Sequence, residues 1–348
     1  MPISYPAPLQ PGDRIAVTAP SSGVEPALHP RLDLVIEHLR TQGFIVEEGQ
    51  CLRDEQHSAS APAAQRAAEL MHYLLREDIA AIIPPWGGER AIELLDRLDW
   101  VALQAARPKW LLGFSDTSTW LLPVTLRLGW ATAHGPGLMD LAPGQDDPLT
   151  SQTLAHLATA AGGEVRQRQS ALWQLKWTDF AVSPDCTFNL TETTRWQPLN
   201  AAAEGSIAFG GRLIGGCIDT LMHTAGTEHG DVRGFIREHA ATGVVLFLEN
   251  SGLSPTDLVR ALHRLRWSGW LDGLAGLLMG RSAAPDTTGV HQLRYADALT
   301  STLGGLACPV LWDVCTGHLP PQMLLVNGAL ATVTHSPQEG GAVTQSWV

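Results

Sequence analysis

Through the N-terminal third of the chain, short apolar runs alternate with amphipathic stretches. Arg14–Ala19 (Arg-Ile-Ala-Val-Thr-Ala) is a β-branched run that stops at Pro20-Ser-Ser-Gly23. Pro30–Gln42 carries Leu32, Val35, Ile36 and Leu39 at helical spacing and ends at Gly43, and Phe44-Ile-Val-Glu47 reads as the next strand. A helix over 61–76 follows, then the strand Ile79–Ile83, which stops at Pro84-Pro-Trp-Gly-Gly88. Arg90–Leu98 has helical spacing, Pro108–Leu112 is another apolar run, and Trp120–Leu128 is helix-compatible. Strands that are apolar throughout, separated by helices, predict a parallel sheet covered on both faces. Ligands of such sheets bind at the carboxyl ends of the strands. The loops Pro20–Gly23, Pro84–Gly88 and Gly113–Asp116 are therefore expected to converge.

From Gly163 to Asn200 the periodicity fails. Trp173, Trp177, Phe180 and Trp196 are interleaved with polar residues, which reads as a long excursion or linker. A second region starts near Gly205. It holds the Gly-rich piece Gly210–Gly216, the strand Val244–Leu248 ending in Glu249, a helix over 256–265, a strand over 274–279, and short β segments over 309–333. The division expected is an α/β domain over 1–165, a Trp-rich linker or substrate loop over 166–204, and a C-terminal domain over 205–348.

At 348 residues the chain exceeds the usual size of one core, and 45% hydrophobic with 17% charged residues describes a folded protein. A net charge of -12 without a Lys/Arg cluster argues against nucleic-acid partners. Five cysteines at irregular spacing fit reduced thiols, and no run is apolar and long enough to cross a bilayer. With no basic region followed by an apolar stretch at the N-terminus, a cytoplasmic protein without membrane partners is expected.

The chemistry centres on Gly113-Phe-Ser-Asp116. A serine at a tight turn between strand and helix is held clear of the sheet, with the following backbone N–H pointing into the same space. The alternative is a serine that only caps a helix. Glu249 at the end of an apolar strand is either an exposed residue just past it or, since a carboxylate is costly to bury unless paired, an acid that orients a histidine. His318 follows Cys315-Thr-Gly317, on a turn where a histidine is more often structural than catalytic. The three fit one mechanism: His318 takes the Ser115 proton and Glu249 orients the imidazole, with N–H donors from Asp116 and the Gly87-Gly88 loop. Other combinations are weaker. Cys315-x-x-His318 lacks the four-ligand spacing of zinc, Gly210–Gly216 lacks Gly-Lys-Ser/Thr, and Glu249 with Asp116 is a pair drawn from 35 acids.

On these residues the chain resembles the LD-carboxypeptidase family of serine peptidases, which includes murein tetrapeptide carboxypeptidases and microcin C immunity proteins. The matching pieces are Leu9–Gly23, Gly87-Gly88 ahead of Leu94-Leu95 and Asp99, Pro108–Asp116, His134-Gly-Pro136, Gly211–Gly216, Leu246–Glu249, Gly276–Gly280 and Gly317-His318, in family order across nearly the whole chain. The resemblance implies Ser115 as nucleophile, His318 as base, Glu249 as acid, and Gly88 and Asp116 as oxyanion donors. It also implies a flavodoxin-like parallel-sheet N-terminal α/β domain with a smaller β-rich C-terminal domain, a homodimer, and neither metal nor organic cofactor.

Three departures bear on the substrate. Murein-type members carry an Arg-Gly-Gly-Tyr-Gly-like sequence where this chain has Pro84–Glu89, and Cys217 and Asn250 stand where Asn and an acid are common. In the immunity branch a loop in this region carries aromatics that stack on a nucleobase, which makes Trp177 the candidate, the alternative being a Trp that anchors a long loop to the core or a dimer partner. Twelve tryptophans against three tyrosines tilt the reading toward an aminoacyl-nucleotide amide. The alternative is release of terminal D-alanine from a muramoyl tetrapeptide, whose carboxylates call for an arginine such as Arg212 or Arg281. The non-enzymatic alternative is a small-peptide binding protein on the same fold, which would need the pocket but not the triad.

Overall fold

The computed structural model describes residues 2–348. Five strands of the N-terminal part, β1 (Arg14–Val17), β2 (Ile45–Glu48), β3 (Ile79–Ile82), β4 (Trp110–Gly113) and β5 (Thr132–His134), pair in parallel in the order β2-β1-β3-β4-β5. This is the flavodoxin-like strand order. β3 and β4 are almost wholly buried, which is why they read as continuous apolar runs rather than alternating ones. The helix His29–Thr41 buries Leu32, Val35, Ile36 and Leu39 on one face of the sheet, and Ala63–Leu75 buries Ala67, Leu70, Tyr73 and Leu74 on the other. Ala91–Arg97 is 3-10 rather than α-helical.

Eleven further strands complete the chain: β6 (Glu164–Arg168), β7 (Leu172–Trp173), β8 (Glu192–Thr193), β9 (Gln197–Pro198), β10 (Ile207–Cys217), β11 (Val244–Glu249), β12 (Gly276–Gly280), β13 (Val310–Val314), β14 (Leu325–Asn327), β15 (Leu330–Ser336) and β16 (Gly340–Ser346). Eight of them form the second sheet, β6-β16-β15-β10-β11-β12-β13-β9, in which β10 to β13 are parallel and the flanks antiparallel. The C-terminal unit is thus β-rich around a parallel centre with its own helical cover. Helices Ile218–Thr224, Val232–Glu238, Pro255–Trp267 and Tyr295–Leu303 pack a core around Leu221, Phe235, Leu262 and Leu299.

Two pairings cross the divisions expected from the sequence. β6, on the expected N-terminal boundary, is the edge of the second sheet, and β14 adds antiparallel to β5 of the first, with Leu325 opposite His134. The expectation of no regular structure over 163–200 is corrected at β6, whose alternating burial places Val165 and Gln167 inward, and at the small β7–β8 pair. Asn327 locks the units together: its Oδ1 accepts from the Gly215 N–H at 2.9 Å and its Nδ2 donates to Thr132 Oγ1 at 3.2 Å. Among the described residues no helix is long and apolar enough to cross a membrane.

Candidate active site

The three loops converge as the parallel-sheet argument requires. Ser22 N–H donates to the Gly87 carbonyl at 3.2 Å, Trp86 Nε1–H donates to the Ser22 carbonyl at 3.1 Å, and Ser21 Oγ–H donates to Asp116 Oδ2 at 2.6 Å. These bonds tie the ends of β1, β3 and β4. Asp116 also accepts from the Ala91 N–H and from Thr119 Oγ1. Its carboxylate is spent on holding the turn, which leaves its backbone N–H as its contribution to the site.

Ser115 leaves β4 with φ +60°, in the left-handed region that costs a non-glycine residue about 1–2 kcal/mol. A strained backbone at a turn is a feature of functional positions. Its hydroxyl has no hydrogen-bond partner among the described residues, and neither the Gly88 nor the Asp116 N–H donates to another protein group. The helix-cap alternative is therefore not what the structure shows: the helix Ser118–Leu128 takes no side-chain cap from Ser115. Gly87 is required by contact. A Cβ there would lie 2.7 Å from the Asp116 nitrogen and 3.0 Å from Ser115 Oγ. Gly88 has φ +140°, and a Cβ would lie 2.6 Å from the Ser22 nitrogen. Gly87→Ala should therefore lower kcat by about 10²–10³-fold by displacing a donor loop, with the fold retained. Stopped-flow or steady-state rates beside a thermal melt check this.

Glu249 ends β11 with its side chain fully buried, and its Oε2 accepts from His318 Nδ1–H at 2.9 Å. Burial pushes the Glu249 carboxyl up, but the His318 charge and hydrogen bond, His134 and the Cys217 thiol outweigh it and hold the group below its ordinary value. Burial likewise works against the His318 imidazolium and is outweighed by Glu249, with Asp219 and Asp140 adding to it, so His318 is held above its ordinary value. With Nδ1 committed to Glu249, the working lone pair is on Nε2. The Phe114 ring, adjacent to Ser115 in the chain, lies edge-on to the imidazole at 4.9 Å between centroids. The Glu–His pair is formed, whereas no Ser115–His318 hydrogen bond is made in this state.

Trp177 comes to the same place. It is 44% exposed, its Nε1–H donates to the His318 carbonyl at 3.1 Å, and Phe180 and Phe188 hold it edge-on. Arg212 does not come. It lies five residues before the end of β10, about 17 Å along a strand from Cys217, and donates to the carbonyls of Gly328 and Val348. Arg281 is buried and committed to Thr194, Cys315 and the Leu319 carbonyl.

Three residues that spacing did not reveal complete the site. His134 is fully buried and its ring is pushed down to about 4 by desolvation, so it is neutral near pH 7 and packs on Phe247. Ser118 Oγ accepts from the Cys217 N–H at 3.1 Å and joins the two units beside the turn. Cys217 Sγ, a Glu249 oxygen and a His318 ring nitrogen lie within 4.8 Å of one another. Such a trio has metal-ligand chemistry. However, burial, Glu249 and Asp219 push the Cys217 thiol well up, and Glu249 already occupies His318 Nδ1. The arrangement fits an oriented base better than a metal cage. The only signal for His134 in the sequence is its place in the His134-Gly-Pro136 match.

Comparison with known proteins places the chain in a family. The family description "LD-carboxypeptidase N-terminal domain" matches residues 15–135, and "LD-carboxypeptidase C-terminal domain" matches residues 210–333. The chain belongs to the LD-carboxypeptidase family, a family of serine peptidases. It is 27% identical to the microcin C7 self-immunity protein MccF of Escherichia coli, over 92% of this chain and 90% of that one. It is 28% identical to the murein tetrapeptide carboxypeptidase of Pseudomonas aeruginosa, over 88% of each. The solved structure of MccF in complex with aspartyl sulfamoyl adenosine superposes with a TM-score of 0.81 at 23% identity, covering 99% of each chain, which shows a shared fold.

Proposed function

We propose that the chain hydrolyses a small amide through an acyl-enzyme, with Ser115 as nucleophile, His318 as general base and Glu249 orienting it. The observation that carries this is the strained Ser115 turn with two unused N–H donors, at Gly88 and Asp116, next to a preformed Glu249–His318 pair. His318 Nε2 takes the Oγ proton as Oγ attacks the carbonyl. The oxyanion is held by the two N–H groups, each worth about 3 kcal/mol. His318 then passes its proton to the departing nitrogen, and water attacks the ester by the same route in reverse.

For the substrate we favour an aminoacyl-nucleotide amide. MccF structures hold aspartyl sulfamoyl adenosine and adenosine monophosphate. In this chain Trp177 offers a half-exposed ring hydrogen-bonded to the His318 backbone, on the side where the leaving group must lie. The murein alternative is disfavoured because Arg212 lies far down β10 and the Arg281 guanidinium is buried and already bonded to Thr194, Cys315 and the Leu319 carbonyl. Assays of the wild type on an aminoacyl sulfamoyl adenosine and on a muramoyl L,D-tetrapeptide decide between them. Preferential turnover of the tetrapeptide overturns the nucleotide reading. Trp177→Ala should raise KM for the nucleotide substrate about tenfold or more, since stacking on one base is worth about 1–3 kcal/mol. The rate at saturation should be nearly unchanged. A homodimer in the cytoplasm belongs to this reading, and sedimentation equilibrium tests the dimer.

A further inference from the structure

Ser115 opens on one side into a cavity of about 210 Å³ whose wall includes Gly88, Asp116, Cys217, Asp219 and Ser251. His318 and Trp177 do not line it. The departing nitrogen must collect its proton from His318, so it lies on the His318 side, and this cavity is left for the acyl part of the substrate.

The wall carries the Asp219, Asp116 and Glu89 carboxylates, and the basic side chain among its lining residues is the imidazole of His223. Asp219 opens the helix after β10. Its Oδ1 accepts from the Gly252 N–H at 2.7 Å, and its Oδ2 accepts from the Ser251 N–H at 2.9 Å and from the Cys217 thiol at 3.5 Å. These donors are neutral. They fix the carboxylate in place without cancelling its charge. No Lys or Arg lines the cavity, and among the described residues none forms an ion pair with Asp219. Glu89, exposed at the rim, adds a second carboxylate, and Asp116 is saturated by the bonds that hold its turn. Cys217 registers the field: its thiol is pushed up by burial and by both Glu249 and Asp219. A positioned charge facing a partly enclosed cavity interacts more strongly than one in open water.

We propose that this cavity is the acyl subsite and that Asp219 selects an acyl group of net positive charge, through an ammonium beside the scissile carbonyl or at the side-chain end, over one ending in a carboxylate. The proposal rests on Ser115 being the nucleophile. It gives this chain a substrate class more positive than the aspartyl and glutamyl compounds held by the MccF structures, whose side chains end in a carboxylate.

The test uses one leaving group, sulfamoyl adenosine, with lysyl, alanyl and glutamyl acyl parts. The expected order of kcat/KM is lysyl above alanyl above glutamyl, with at least about tenfold between the extremes. Asp219→Asn should compress that ratio by about tenfold or more. Glu89→Gln, at an exposed rim position, should compress it in the same direction by a smaller factor. In the wild type, raising ionic strength should shrink the ratio, because salt screens a partly open site. That measurement stands if Asp219→Asn does not fold. A glutamyl compound cleaved as well as the lysyl one, or a ratio indifferent to both Asp219→Asn and salt, overturns the proposal while leaving the peptidase reading intact. If none of the three is cleaved, the nucleotide reading fails. The acyl preference is then read from their calorimetric affinities for Ser115→Ala, where equal affinities, or no binding by any, overturn it.

Discussion

Ser115→Ala abolishes turnover, with kcat lower by about 10⁶-fold, while substrate affinity and the melting temperature stay near wild type. The magnitude is that of a triad whose members act as a unit, where loss of the nucleophile removes nearly all the covalent catalysis. The structural argument for an intact fold is specific. The Ser115 hydroxyl has no partner among the described residues, so deleting it leaves no described buried donor or acceptor unpaired. The left-handed φ of +60° is a property of the backbone turn, and alanine bears the same strain as serine. What holds the turn is Asp116, through Ser21, Ala91 and Thr119, and none of those bonds uses Ser115. Steady-state rates with a burst-phase assay, calorimetry and a thermal melt read the three quantities. Residual turnover within tenfold of wild type would show that another group attacks the carbonyl. Lost activity together with unchanged binding is also what separates this enzyme from a small-peptide binder on the same fold.

How much of this was legible in the sequence depended on whether the signal was local. The Ser115 turn was legible because an apolar strand running into Gly-Phe-Ser marks both the strand end and the turn. Glu249 was half legible: a carboxylate closing a wholly apolar run is either exposed just past it or buried and paired, and the structure shows it buried on His318. The convergence of the Pro20, Pro84 and Gly113 loops followed from parallel topology alone, and the bonds among Ser21, Ser22, Gly87 and Asp116 bear it out. His318 was different. Thirteen histidines carry no spacing that selects one, and only the family resemblance singled it out. Its partner lies 69 residues away, across the top of the second sheet.

Other readings failed for reasons of range and direction. The stretch over 90–98 places Ala91, Leu94 and Leu95 on one side, a spacing that suits a 3-10 turn as well as an α-helix. Arg212 was a charge on the correct strand, but a strand has two ends, and composition does not say toward which end a side chain works. β14 returns to the first sheet and β6 leaves it for the second, because edge strands pair with whatever edge lies open in space, and no local pattern encodes that choice. The Trp-rich segment lost its periodicity because its side chains are sorted by single contacts. Trp196 is buried with its Nε1–H on Cys315 Sγ, while Trp177 is left half exposed over His318.

Glu249→Gln lowers kcat/KM by about 10⁴-fold, the scale seen when a triad acid becomes an amide, and it moves the acid limb of the pH profile to lower pH. The base must be neutral to accept the Ser115 proton. In the wild type Glu249 holds His318 above its ordinary value, so half of kcat/KM is lost at a pH above about 6.5. The amide removes the Glu249 charge and charged hydrogen bond, the largest of the effects that raise His318, and leaves the smaller ones of Asp219 and Asp140. Burial, which lowers it, stays in place. The limb therefore moves down as the rate falls, which a merely misfolded variant would not show. His134 cannot produce this limb, since its ring already titrates near 4.

Stability carries the same signature. A histidine raised on folding stabilises the native state fully below its unfolded value of about 6.5 and loses that contribution as pH rises through its folded value. The wild-type melting temperature should carry this decline on the alkaline side of pH 6.5, and in Glu249→Gln that component should be smaller, because only Asp219 and Asp140 remain to raise His318. Paired pH–rate and pH–melting profiles of the two proteins check both arms. An acid limb that stays where it is in the variant would mean that Glu249 does not act through His318, and the assignment of the pair as an oriented base would fall with it.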